Sequence, residues 1–141
     1  MRIISHRGNL YGPNPATENT NRQIAHALSL GFDVEIDVWW HDGALWLGHD
    51  EPKERLTLMD ISTMWLHCKN NMALLATCGR MWNNFFHQHD DCTLTGHGHI
   101  WTYPGKEITE LSIAVLPESV SDWDISKAFG ICTDYPFNYI P

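Results

Sequence analysis

Basic residues are scarce in this chain. Nine Lys and Arg stand against seventeen Asp and Glu, for a formal net charge of −8. A nucleic-acid binder needs a basic surface to displace counterions from phosphates, so the balance argues against that class of partner and leaves open a small phosphorylated molecule. No apolar run approaches the length that crosses a bilayer, and no apolar leader precedes the first expected strand. A soluble, cytoplasmic protein is the expectation. Close cysteine pairs and CxxC spacings are missing too: Cys68, Cys78, Cys92 and Cys132 stand apart, as reduced thiols of a cytoplasm-like compartment do. There is no internal repeat, linker or low-complexity segment, and 141 residues fit one domain, residues 1–141, with one core. Tryptophan, by contrast, is plentiful. Seven in so short a chain suit large aromatic walls around a core or pocket.

The stretch from Gly31 to Asp50 organises the rest. Phe32 to Trp40 reads as a strand, and because side chains alternate faces, Val34, Ile36 and Val38 share one side while Asp33, Glu35 and Asp37 share the other. If the acidic side faces an interior, the like charges of Glu35 and Asp37 need a proton or a cation between them, and a metal is the natural partner. If it faces solvent, this is the polar stripe of an ordinary half-exposed strand. His41-Asp42-Gly43 then supplies a turn, Ala44 to Leu47 runs back as a short apolar segment, and His49-Asp50 arrives just past its end.

Around this stretch the elements follow in order. Arg2 to Ser5 reads as a strand that delivers His6-Arg7-Gly8-Asn9 at its C-terminal end. Ala16 to Thr20 opens a helix capped by Thr17 or Asn19, with Ile24, Ala27 and Leu28 on one face and Gly31 at its end. Strand, helix and strand in succession normally place the two strands parallel, which brings His6 and the Glu35/Asp37 pair to one rim. Met59 to Met64 reads as a turn of helix, and Trp65 to Lys69 as a strand with His67 and Lys69 on one face. Asn71 to Arg80 reads as a second helix closed by Gly79 or Arg80. Further on, Phe85 to His87, Cys92 to Thr95, Ile100 to Tyr103 and Ser112 to Leu116 read as short strands joined by Gly- and Pro-containing turns. Ser121 to Phe129 can hold a short helix before a last strand from Gly130. Eight or so strands with helices clear only in the first half imply a TIM-type (β/α)8 barrel, normally about 250 residues, reduced by the loss of several outer helices. Uncovered strand faces would then favour a homodimer.

Four motifs stand in order over the first fifty residues: His6-Arg7-Gly8, Glu18-Asn19-Thr20, Glu35-Ile36-Asp37 and His49-Asp50. Together with Trp101-Thr102 and Thr133-Asp134-Tyr135-Pro136, they resemble the glycerophosphodiester phosphodiesterase family of the phospholipase-C-like barrels. The resemblance implies a metal-dependent phosphoric diester hydrolase of lipid metabolism. It makes His6 and His49 the general base and general acid, and Glu35 and Asp37 the ligands of one divalent ion. Arg7 would contact the phosphate bidentately and Glu18 would support the site. The chemistry suits those types, because two imidazoles can exchange a proton near neutral pH and a cation with an arginine can stabilise phosphoryl charge.

The chain departs from the family at its third strand, where the family's ExK is His67-Cys68-Lys69. Lys69 fits a second phosphate contact, and His67 fits a third metal ligand. A neutral nitrogen in place of an anionic oxygen weakens the case for Mg2+ or Ca2+ and favours Mn2+, Zn2+ or a similar ion. Two further readings stand beside hydrolysis: a lyase that forms a cyclic phosphate, and an inactive protein that binds a phosphorylated ligand. Among the other polar residues, His87 or His99 could reach the mouth of the site and Glu118 could approach its rim. Trp39 and Trp101 read as core, and Cys68 should point away from its neighbours on the strand.

Overall fold

Apolar alternation, rather than helical periodicity, dominates what the chain builds. The computed structural model describes residues 1–58, 60, 62–79 and 81–141. Its strands are β1 (Arg2–His6), β2 (Asp33–His41), β3 (Ala44–Leu47), β4 (Glu54–Arg55), β5 (Met64–Cys68), β6 (Asn83–Phe85), β7 (Cys92–Leu94), β8 (Ile100–Thr102), β9 (Ser112–Val115) and β10 (Gly130–Thr133). They form one ten-stranded sheet in the order β4-β3-β2-β1-β10-β9-β8-β7, with β5 paired to β2 and β6 to β5. β2 is where the sheet forks. Its first half pairs in parallel with β1, its second half forms an antiparallel hairpin with β3, and β5 runs parallel along its other edge.

The reduced (β/α)8 barrel expected from the sequence does not form. Among the described residues the chain makes a curled mixed sheet, a half-barrel, with two short α-helices, α1 (Asn21–Ser29) and α2 (Asn71–Thr77). The barrel's regular alternation of helix and strand is not seen among the described residues. The second half shows why. Beyond α2 the connections are turns and short 3-10 segments, and the helix expected over Ser121–Phe129 is replaced by turns held by one local side-chain contact and one to a neighbouring loop. The Ser126 amide donates to Asp124 Oδ1, and the Trp123 indole donates to the Lys106 carbonyl. The Asp124 contact offers the backbone a local alternative to a helical ladder, and the Trp123 contact ties the segment to the loop after β8. Of the turn of helix expected over Met59–Met64, Met59 and Ile61 lie outside the described residues, and Met64 already belongs to β5. Arg80, one of two expected closers of the second helix, also lies outside them.

Burial divides along the two faces of the curl. On the convex face Val34, Ile36, Val38, Leu66 and Cys68 pack against Ile24 and Ala27 of α1 and Ala73 of α2, each fully buried aliphatic side chain contributing about 1.5–3 kcal/mol. On the concave face Ile4, Trp65, Phe85, Trp101, Ile113, Val115 and Cys132 fill the interior. Thr20 caps α1, its side chain accepting from the Gln23 amide. Neither expected cap is used: Asn19 is held by Asp37, and Thr17 meets Thr20 only through its carbonyl, which accepts from the Thr20 hydroxyl.

Because β1, β2, β5, β6, β8, β9 and β10 are linked by parallel pairings, their C-terminal ends gather on one rim. The residues at and just after those ends are polar: His6 at the end of β1 and Arg7 after it, Lys69 after β5, Asp134 after β10. All four cysteine thiols are free, with Cys68 and Cys132 buried. Among the described residues no helix is long and apolar enough to cross a membrane.

Candidate functional site

Glu35 and Asp37 face the concave side and are buried, at 2% and 0% exposure. A pair of carboxylates so placed needs compensating charge, and several elements supply it. Asp37 Oδ2 accepts a 2.9 Å hydrogen bond from Asn19 Nδ2 and lies 3.1 Å from Arg7 Nε. The Asp37 amide in turn donates to Asn19 Oδ1 at 3.0 Å. Asp37 Oδ1 is 3.1 Å from His67 Nδ1 and 3.5 Å from Lys69 Nζ, yet it is sealed from solvent with no contact of hydrogen-bond geometry. Burial alone would raise the Asp37 pKa; His67, Arg7 and Lys69 outweigh it and hold the carboxyl well below its usual range. Burial likewise pulls His67 down, but its contacts with Asp37 and Glu35 push it up to about 9.

The donors fit a divalent cation. Glu35, Asp37 and His67 each present a ligand atom, and the three atoms lie within 4.8 Å of one another. An anionic pair, a ring nitrogen and a carboxylate oxygen without a hydrogen bond make a coherent ligand set.

Beside this cluster stands His6. Its Nδ1 is 2.8 Å from Asp134 Oδ1, and its Nε2 lies 3.9 Å from Glu35 Oε2. Burial lowers the His6 pKa, while the hydrogen bond to Asp134 and the charge of Glu35 more than offset it, so the net shift is upward. Asn9, itself buried, ties the surroundings together. Its Nδ2 donates to Asp134 Oδ1 at 2.9 Å and to Glu18 Oε2 at 3.1 Å. Glu18 Oε1 accepts from Arg7 Nη1 at 2.9 Å, and Glu118 Oε1 accepts from the Asp134 amide at 2.8 Å. Glu18 thus supports the site through Arg7 and Asn9, and Glu118 through the backbone of Asp134. Two of the three Arg7 guanidinium nitrogens are engaged by Glu18 and Asp37, and its amide donates to Glu35 Oε2. A bidentate phosphate grip is therefore not free as the side chain is arranged. Arg7 chiefly braces the acidic pair.

His49 follows β3 on the same rim. Its side chain is 43% exposed, with Nδ1 2.7 Å from Asp50 Oδ1. Gly48 places it: φ is +147°, and a Cβ there would stand 2.0 Å from the Glu51 carbonyl oxygen. The Gly48 amide donates to the Asp37 carbonyl and its own carbonyl accepts from the Trp39 indole, so the turn cannot simply yield. Gly48→Ala is expected to cost about 1–3 kcal/mol and to displace His49, read as a lower urea midpoint and shifted His49 ring resonances in NMR.

A cleft of about 490 Å3 gathers His6, Arg7, Glu35, His49, His67 and Lys69. His87, Gln88 and His89 line it from the loop after β6; Trp101, Tyr103, Pro104, Val115 and Leu116 line it from the ends of β8 and β9. Glu18 lines an adjoining recess with Asn19 and His49. Trp101 is both buried core and wall, Trp39 is half-buried, and Cys68 points into the convex core. His99 lies elsewhere, in a small recess with Arg2 and Phe129 at the opposite ends of the strands. Sequence reasoning gave Asn9, Asn19 and Asp134 no role in the site, reading Asn19 only as a candidate helix cap and both Asn19 and Asp134 as members of motifs. The signal for Asp134 was its place just beyond a strand parallel to β1. No protein-family model, curated protein or solved structure matches this chain.

Proposed function

We propose that the cleft hydrolyses a phosphodiester of the glycerophosphodiester type with the help of one divalent ion held by Glu35, Asp37 and His67. The observation that carries this reading is convergence: imidazoles from the ends of β1 and β3 share one cavity with Glu35 and His67, and behind them the buried Asp37 retains a carboxylate oxygen without a hydrogen bond. When bound, such an ion supplies positive charge beside the phosphoryl oxygens.

The chain's own groups account for the protons. Asp134 accepts from His6 Nδ1 and leaves Nε2 facing Glu35 and the cleft, so the ring is oriented as an acid or base by a carboxylate behind it. Asp50 stands in the same relation to His49. One imidazole takes the proton of the attacking hydroxyl as its oxygen bonds to phosphorus. The other gives a proton to the departing alkoxide as the second P–O bond breaks. A hydroxyl of the substrate or a water serves as nucleophile. Lys69, 3.5 Å from Asp37, adds charge at the same rim.

Purified protein should hydrolyse bis-p-nitrophenyl phosphate or glycerophosphocholine when supplied with Mn2+ or Zn2+, with Mg2+ and Ca2+ as comparisons. Chelation should remove the activity, and His49→Ala should lower kcat by about 10²–10⁴-fold. Phosphorus NMR of the products separates hydrolysis from cyclisation: accumulation of a cyclic phosphate would make the protein a lyase. Ligand retention without turnover under every ion would make it a binding protein and overturn the enzymatic reading.

A further inference from the structure

His67 has two ring nitrogens, and the fold treats them differently. Nδ1 faces Asp37 Oδ1 at 3.1 Å and Glu35 Oε1 at 3.7 Å. Nε2 lies 3.2 Å from the backbone carbonyl of His87. A carbonyl oxygen only accepts, so Nε2 carries the hydrogen and Nδ1 is left with its lone pair whenever the ring is neutral. The ring is also fixed in plane. It stacks on Phe85, with centroids 5.0 Å apart and 13° between planes.

The accepting carbonyl belongs to a loop anchored at several points. The His87 ring stacks on Tyr103, centroids 3.6 Å apart at 17°, and its Nε2 donates to the Asp90 carbonyl. The Thr93 hydroxyl donates to the Phe86 carbonyl at 3.1 Å, and the Tyr103 amide donates to the Asp91 carbonyl at 3.0 Å. Tyr103 meets the loop twice, through its ring and its amide.

We infer that the loop of residues 86–91, clamped by Tyr103, is a positioning element that fixes His67 with Nε2 protonated and Nδ1 presented beside Glu35 and Asp37, and thereby selects a borderline transition ion over Mg2+ or Ca2+. The inference rests on the metal-binding part of the proposed function, but not on turnover. A nitrogen donor contributes to Mn2+, Zn2+ or Cd2+ and little to hard ions that prefer oxygen. Groups behind a metal-bound imidazole set its orientation, and losing one typically costs about 10–100-fold in affinity.

The test uses the full chain loaded with 113Cd2+ and followed by NMR. Nδ1 ligation gives a cadmium coupling to His67 Hε1 alone. Coupling to both Hε1 and Hδ2 reports Nε2 instead and overturns the inference, as does a native-like Cd2+ complex without coupling to His67. Tyr103→Ala should weaken Mn2+ and Zn2+ by about 10-fold or more in titration calorimetry while leaving Mg2+ affinity within about twofold, and Tyr103→Phe, which keeps the stack, should restore it. Equal weakening of all ions, or none, would overturn the clamp. If Tyr103→Ala fails to fold, His87→Ala removes the same stack while keeping the carbonyl, and the same titrations decide. Failure of the phosphodiesterase reading looks different: normal cadmium coupling and ion preference in a protein inert toward every phosphodiester.

Discussion

Asp37→Ala is expected to be the most damaging single substitution in the chain, abolishing divalent-ion binding and removing about 3–5 kcal/mol of stability. The carboxylate is buried among Arg7, Lys69, His67 and Asn19. Alanine leaves the basic groups facing one another without their counter-charge and strands the Asn19 amide. Against a total stability of about 5–15 kcal/mol for a domain, that loss brings the protein close to unfolding at room temperature. Asp37→Asn separates the effects, because it keeps the shape and surrenders only the charge. Urea denaturation should rank wild type above Asp37→Asn and that above Asp37→Ala. Calorimetric titration of the folded asparagine variant should show no Mn2+ or Zn2+ binding. An asparagine variant that binds these ions as tightly as wild type would remove Asp37 from the ligand set.

The second large effect is a pH dependence with opposite signs for the metal-free protein and for ion binding. His67 is pushed up to about 9 from an ordinary 6.5, so the folded state binds its proton more tightly than the unfolded chain does. That contribution is complete below about pH 6.5 and fades as pH rises toward 9. Its size is about 3 kcal/mol for a shift of this order. The lowered pKa of Asp37 reflects the same contact from the other partner and is counted once; its stabilisation is present at neutral pH and fails as pH falls below the ordinary carboxylate range. The metal-free protein should therefore show a falling urea midpoint between pH 6.5 and 9. A cation needs the Nδ1 lone pair and must displace that proton. Apparent affinity for Zn2+ should climb about tenfold per pH unit until it levels near pH 9, with about one proton released per ion bound at pH 7, read from calorimetry in buffers of different ionisation enthalpy. A flat profile, or no proton release, would exclude His67 as a ligand.

The strands that carry the site were legible, because local alternation is enough to set them. Ile36 and Val38 could only be buried together if Glu35 and Asp37 shared the other face, and the structure has that register. Parallel pairing then put His6 on the same rim, as the strand–helix–strand order implied. The layer around the sheet was not legible, because Ser121–Phe129 has helix-compatible composition and loses the helix to side-chain contacts that depend on neighbouring loops. Glu54 and Arg55, which form β4, carry no alternation to detect. The supports of the site failed for the same reason. Nothing local marks Asn9 as a bridge between the Glu18 and Asp134 carboxylates, or Asn19 as a clasp on the side chain and amide of Asp37, since each acquires its role only when distant segments meet above the sheet. His67 was visible as a departure from a motif; the direction of its ring was set by a backbone carbonyl twenty residues on.

β1 lies between β2 and β10, and the hydrogen bond that orients His6 spans 128 positions of sequence to Asp134. During synthesis the hairpin around His41 and the helix from Asn21 can settle early, since their contacts are close along the chain. The His6–Asp134 pair cannot, because half of it is still to be translated. Contacts of such long range are slow to close, so a nascent chain would display Glu35, Asp37 and His67 well before His6 is oriented, and the cluster would be complete only once β10 has joined the sheet.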